Sequence, residues 1–311
     1  MPAPARPSLF TITLLLLATA SWGSNWVVAR ALHAEVPPMA MAFWRWVAAS
    51  LFMLPLAWPH LGGDWPRLRA SWRRMLPLGI AGCTGLSVLG YLAMQHTTAT
   101  NASLINGSLP MMIVGLMALL PSGRASGRLL LGIVVSALGV MCIILRGDPM
   151  TLLTLSLNPG DLLMLAGVFV WAAYTVALRW RPAGLHESSF TIALFLVGAA
   201  SCLPLYLWEM SAGTHMRVSA GTVGGLVHLA LFPSILAYQC WSYAVPRVGA
   251  GVAGAFSNLT PVFGTLWAAL FLDEALRVWH VAGLALVFTG IAIATRARRP
   301  VAAAATPATG R

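Results

Sequence analysis

Apolar residues run through this chain in long, nearly uninterrupted blocks separated by short polar connections. Windows of roughly 17 to 25 apolar residues are long enough to cross a bilayer as a helix. Ten of them follow one another, at about 9–28, 39–59, 75–94, 98–120, 128–146, 161–179, 188–208, 222–243, 248–272 and 277–295. The connections are too short to hold a soluble domain. The first block has features of a signal peptide, with Arg6, an apolar run and Ala18-Thr19-Ala20. It continues unbroken through Trp22–Val28, and a matching segment recurs later, so it is read as a retained span. The block from Gly249 to Glu274 departs from the pattern. Its middle carries glycines, Asn258, Thr260 and Pro261. A proline inside a helix leaves a carbonyl one turn back without its donor, and lipid offers no replacement. Residues 107–120 echo this arrangement, with Pro110 in the place of Pro261.

The echo belongs to a wider repeat. Residues 21–30 align with residues 170–179, with Trp, Val and Arg coinciding, and a shift larger by about two residues sets Pro110 on Pro261 and Ala93 on Ala244. Spans one to five, within 9–146, therefore read as one copy of a five-helix unit and spans six to ten, within 160–295, as a second. Five is odd, so the second copy enters the membrane from the opposite face. The expected fold is an all-α membrane protein of ten transmembrane helices in two inverted five-helix repeats, an arrangement that surrounds a site near the bilayer midplane. Residues 296–311, basic and then Ala/Pro-rich, read as a disordered cytoplasmic tail.

Composition agrees. Of 311 residues, 59% are hydrophobic and only 9% charged, against about 25% charged in soluble domains; mean hydropathy is +0.80. The net charge of +11 is carried by arginines scattered between apolar runs rather than gathered in a patch, which argues against nucleic acid as a partner. With the N-terminus inside, fourteen arginines fall on inner segments and only Arg30, Arg146, Arg217 and Arg277 on outer ones, with Arg45 inside the second span. This bias places both termini in the cytoplasm for an even number of spans. Cys83, Cys142, Cys202 and Cys240 lie in apolar segments without a CxxC spacing and read as small core residues. No clustered ligands suggest a metal, and no cofactor motif or nucleotide-binding loop is present.

At the level of motifs the chain resembles the EamA-type transporters of the drug/metabolite transporter superfamily. The resemblance rests on Trp22-Gly23-Ser24-Asn25, Phe43-Trp44-Arg45-Trp46, Gly160-Asp161-Leu162-Leu163, Ala244 with Arg247-Val248-Gly249-Ala250, Asn258-Leu259-Thr260-Pro261, and Leu272-Asp273-Glu274. It covers about residues 9–295. It implies ten helices, cytoplasmic termini in a bacterial inner membrane, and a central cavity lined by spans one, three, four, six, eight and nine. It also implies export of amino acids, other metabolites or drugs. One departure concerns the end of the fourth span, where residues 120–124 read Leu-Pro-Ser-Gly-Arg and lack a counterpart of Glu274.

Polar residues inside a membrane are costly and tend to face the protein interior. Trp22, Asn25 and Trp26 share a helix face, as do Trp171 and Tyr174 in the equivalent span. These faces suit cavity walls or helix-packing glue. Asn101 and Asn106 precede Pro110, and Ser257 and Asn258 precede Pro261; the prolines read as hinges, the polar residues as carbonyl caps or substrate contacts. Arg45 is expected to snorkel outward, and a structural salt link with Glu274 is a candidate. No full charge is then expected in the cavity, which favours a zwitterion or neutral amphiphile as the small-molecule substrate. Gly79, Gly82 and Gly85 suit close helix approach. Gly132, Ser136 and Gly283 suggest lipid-facing or dimer surfaces, so a second copy is a candidate partner beside the lipid bilayer. No catalytic residue is assigned and the chain is not read as an enzyme. The rival classes are an intramembrane enzyme, for which Ser108 with His96 or His228 is the only candidate set, and a channel, for which no charge ring or filter is found.

Overall fold

The structure, a computed structural model, describes residues 8–97, 102, 105–120, 126–154, 158–271 and 277–295, without the side chains of Trp26, Arg30, Ala268, Ala269 and Phe271. All secondary structure among the described residues is helical: α1 (Leu9–Leu32), α2 (Pro38–Ala70), α3 (Trp72–Ala93), α4 (Leu109–Ala118), α5 (Gly127–Ile144), α6 (Pro159–Ala177), α7 (Glu187–Ser211), α8 (Ala220–Val248), α9 (Ala250–Ser257), α10 (Leu259–Phe271) and α11 (Val278–Thr295). Eight helices are long and apolar enough to cross a membrane; α4 is shorter, and the broken block predicted near Pro261 is two short helices, α9 and α10. Large apolar side chains such as Leu51, Leu56 and Trp58 on α2 stay exposed, as a surface meant for lipid requires.

The break falls at Asn258, three residues before Pro261, which lies in the first turn of α10. There its missing N–H would have had no intrahelical partner in any case. Pro110 likewise sits at the second position of α4. Both prolines thus open a helix rather than kink one in its middle. At Gly249 the backbone has φ +85°, a conformation open to glycine at little cost, and it turns the chain from α8 into α9.

Two irregularities were not legible from proline or glycine alone. α3 contains a π-helical turn at Ile80–Gly85, and α8 contains one at Ala230–Leu236. They begin 150 residues apart. Each frees a carbonyl from its helix ladder, as π turns do, and the opposite half takes it up. Gly82 O accepts from the Tyr238 hydroxyl. Pro233 O accepts from Trp22 Nε1 at 3.0 Å.

Close contacts explain the glycines. A Cβ on Gly79 would stand 2.5 Å from Val197, and one on Gly82 2.6 Å from the Tyr174 ring, so α3 lies tight against α6 and α7 as their spacing predicted. A Cβ on Gly23 of α1 would stand 2.7 Å from the backbone N of Gly264 in α10. In contrast, Gly132 and Gly139 of α5 meet Gly290 and Gly283 of α11, and Ser136 is fully buried. The small-residue faces of α5 and α11 are therefore occupied inside the chain. This corrects the expectation of a lipid or dimer surface there: backbones without Cβ atoms approach most closely where a whole helix can lie along them, and the partner is intramolecular.

Polar groups fix the helix ends. Glu209, near the end of α7, accepts from the backbone N–H of Met39 (3.1 Å) and Ala40 (2.8 Å), capping α2. At the start of α6, Asn158 and Asp161 form a reciprocal capping box, and Asp161 also accepts from the Thr97 hydroxyl. Gly160 beside it leaves room for Ala93 O and Thr97 N, so the Gly-Asp pair docks the start of α6 on the end of α3. Asp161→Ala should remove the carboxylate's bond to the Asn158 backbone N–H and the Thr97 contact together, while the Asn158 side chain keeps its bond to the backbone N–H of residue 161, lowering stability by roughly 1–3 kcal/mol; thermal unfolding of the purified protein in detergent measures it. All four cysteines are free, and Cys83, Cys202 and Cys240 are buried.

Candidate functional site

A cleft opens among α1, α2, α3, α4, α6, α8, α9 and α10. Part of its lining is aromatic and apolar: Trp22, Trp171 and Tyr238, whose rings pack together, with Leu86 and Leu109. The rest is polar: Arg45 with its partners Asn25 and Tyr91, and Ser87, Asn106, Ser257 and Thr260. It draws on both halves of the chain.

The four residues of the α1 motif divide the work. Trp22 reaches Pro233 O in α8 and packs edge-on against Trp171 (5.2 Å) and Trp241 (4.9 Å). Gly23 lets α10 approach. Ser24 Oγ lies 2.9 Å from His228 Nε2. Asn25 Oδ1 accepts from Arg45 Nη1 at 3.0 Å. A helix places successive residues about 100° apart, so one turn serves four neighbours.

Arg45 corrects the sequence reading. It does not snorkel: it is 5% exposed and points into the cleft. Its Nε donates to Ser234 Oγ at 2.7 Å, its Nη1 to Asn25 and to the Tyr91 hydroxyl, both at 3.0 Å, and its Nη2 to Pro233 O at 3.2 Å. Ser234 in turn donates to Leu229 O at 2.8 Å, five residues back, so the π turn itself aims the hydroxyl that receives Arg45. The cavity therefore holds a full charge where none was expected. The physical reason is that the guanidinium finds preorganised oxygens inside the bundle, whereas its length alone suggested an outward route.

Among the predicted residues, Trp22, Asn25, Asn106, Trp171 and Ser257 line this cleft together. Tyr174, one turn from Trp171, is fully buried, tilts against Trp171 at 5.0 Å, and lines a different hollow with Arg73, Arg74 and Trp180. Asn258 turns away: its Nδ2 donates to Ser136 Oγ of α5 at 2.7 Å. It is placed as a packing group because the break in the helix aims it at α5. Asn101, Glu274 and the side chain of Trp26 lie outside the described residues, and with them the pairing of Arg45 with Glu274. Tyr91, Ser234, Tyr238 and Trp241 escaped the sequence reading. The last three sit at i, i+4, i+7 in the eighth span, a polar-aromatic face of the kind recognised in spans one and six.

Beyond the cleft, Arg181 grips Glu187 with two bonds of 2.7 Å and donates to Ser242 O at 3.1 Å. This bidentate pair ties the α6–α7 connection to α8.

A bundle of apolar helices around a cleft lined by aromatic and polar side chains is the build of a multi-pass membrane protein. The chain belongs to the EamA-like transporter family, whose model matches residues 9–145 and again 158–296. It is 28% identical over 258 residues to the uncharacterized transporter YyaM of Bacillus subtilis, covering 83% of this chain and 84% of that one. It is 25% identical to a probable amino-acid metabolite efflux pump of Salmonella typhimurium, covering 90% and 93%, and 24% to the similarly named protein of Escherichia coli, covering 90% and 93%. A solved crystal structure aligns with TM-score 0.75 at 21% identity, over 92% of this chain and 96% of the other, and shows the fold.

Proposed function

We propose that this chain is a secondary transporter of the bacterial inner membrane that exports amino acids or related small metabolites or drugs by alternating access. Ten transmembrane helices in two inverted repeats would rock about the cleft, with both termini in the cytoplasm. The observation that carries the reading is the pairing of the helices. α2 packs on α7, α4 on α9 and α5 on α11, each joining a span to its expected counterpart. The contact of α3 with α6 is mirrored by that of α8 with α1, and the contact of α4 with α6 by that of α10 with α1. A two-fold axis relates contacts in this way, and with an odd number of spans in each repeat that axis would lie in the membrane plane. The paired π turns and the Gly132–Gly290 and Gly139–Gly283 contacts obey the same exchange.

The amino-acid reading draws on the relatives named as amino-acid metabolite efflux pumps and on the cleft itself, whose aromatic lining suits an apolar side chain and whose polar lining suits its head group. Everted vesicles from cells expressing the chain should accumulate labelled amino acids in counterflow, and reporter fusions at both termini should read cytoplasmic. Uptake confined to phosphate esters would overturn the substrate class. A periplasmic C-terminus would overturn the inverted topology.

A further inference from the structure

Arg45 is held by four neutral partners: a hydroxyl of Ser234, the amide of Asn25, the phenol of Tyr91 and the Pro233 carbonyl. They take four of the five N–H groups a guanidinium offers. Among the described residues, no carboxylate pairs with it and none lines the cleft. Trp46, fully buried, lies under the guanidinium at 4.6 Å. The plane is thus fixed by four hydrogen bonds and one ring. Neutral acceptors offset the lost hydration of a cation but leave its charge. In a membrane interior such a charge is costly and marks a functional site. A tie between α1, α2, α3 and α8 alone does not require it, since a neutral donor would bridge the same oxygens. What a fixed cation adds at the wall of a cleft is attraction for an anion, strengthened by the low-dielectric surroundings.

We infer that Arg45 is the anion-recognising group of the cavity and that the substrate carries a carboxylate joined to an apolar or aromatic body. This rests on the transporter reading above and narrows its substrate class. One guanidinium with most of its donors engaged suits a singly charged carboxylate; a phosphate monoester calls for several donors and more than one charge. The body of the substrate lies against Trp22 and Trp171. An amino group, where present, meets neutral oxygens such as those of Asn106 and Ser257, so it contributes less than the carboxylate. Carboxylates without an amine should therefore bind, and amides of the same shape should not.

The test uses the full chain purified in detergent and two matched pairs: L-phenylalanine with L-phenylalaninamide, and 3-phenylpropionate with 3-phenylpropionamide. Tryptophan fluorescence or calorimetry reads binding. Each acid should bind at least about 30-fold more tightly than its amide, the scale of losing one partner of a buried charge pair. Asn25→Asp keeps the acceptor for Arg45 Nη1 and supplies an internal anion. It should preserve thermal stability and cut the acid-over-amide preference at least about tenfold. Arg45→Lys should retain part of the preference and Arg45→Gln none. Equal binding of acids and amides, binding of none of the four, tighter binding of a phosphate monoester such as phenyl phosphate, or an unchanged preference in Asn25→Asp would each overturn the inference. Counterflow in proteoliposomes separates it from the broader reading. Carriage of the amide with neglect of the acid sinks the anion site and keeps the transporter, whereas preferential binding of acids that are never carried keeps the anion site and sinks the exporter.

Discussion

Trp22→Ala should cut transport at least about tenfold, equivalent to about 1.4 kcal/mol, and should also loosen the protein. The indole stands where the two halves meet. Its ring faces Trp171 from the second repeat's first span and Trp241 and Tyr238 from α8. Its Nε1 donates to Pro233 O, the same carbonyl that receives Arg45. Truncation removes part of the lining of the cleft, strands one side of three ring contacts and leaves Pro233 O to Arg45 alone. Buried Trp→Ala changes cost about 3–5 kcal/mol of stability; Trp22 is half-buried, so the lower end applies. Trp22→Phe separates the two roles. It keeps most of the ring contact and loses the N–H, so it should hold stability within about 0.5–1.5 kcal/mol of the native chain, the worth of one hydrogen bond, with transport between the native and alanine values. Flux in proteoliposomes, normalised to folded protein, measures both. Full transport by Trp22→Ala would remove the indole from the site.

The fold was legible because lipid imposes it. Apolar windows are required for spans, and the structure bears out eight of them as continuous helices. What escaped was local. The break near Pro261 was foreseen but fell at Asn258, since a proline is accommodated in the first turn of the following helix. The π turns left no unambiguous mark in sequence: α8 holds Pro233 within its turn, but α3 has only Gly82 and Gly85. Their freed carbonyls, and hence the partners of Tyr238, Trp22 and Arg45, could not be foreseen from spacing. Half of the site was visible for the same reason the fold was. Trp22, Asn25 and Trp171 stand out as costly residues on equivalent faces of spans one and six. Asn258 stood out equally, yet its Nδ2 donates to Ser136 rather than into the cleft, because polarity shows that a residue must face protein without showing which neighbour it meets. Arg45 was misread for a related reason. A long stem permits snorkelling, and only the tertiary structure reveals the four oxygens that hold it inward.

Gly290→Val should be among the most destabilising single substitutions in the chain. A Cβ at Gly290 would stand 2.5 Å from Gly132 O and 2.5 Å from Ser136 N; one at Gly132 would stand 2.5 Å from Gly290 O. These are backbone atoms in helices, with no flexible end to swing aside, so α5 and α11 must separate. Alanine gains about 1 kcal/mol of helix propensity over glycine, but overpacking costs typically 1–3 kcal/mol. Gly290→Ala should therefore be net destabilising by up to roughly 2 kcal/mol, and valine, larger and branched, by about 3 kcal/mol or more. The reciprocal geometry sharpens the test. Gly132→Ala and Gly290→Ala open the same contact, so the double variant should cost clearly less than the two singles combined. Gly132→Ala with Gly283→Ala act at opposite ends of the seam, about 10 Å apart along the helices, and should combine within about 0.5 kcal/mol. Thermal or denaturant unfolding in detergent reads all of these. Simple additivity for the Gly132–Gly290 pair would mean the helices do not close on each other at this point, and the pairing of α5 with α11 that supports the two-fold reading would lose its tightest contact.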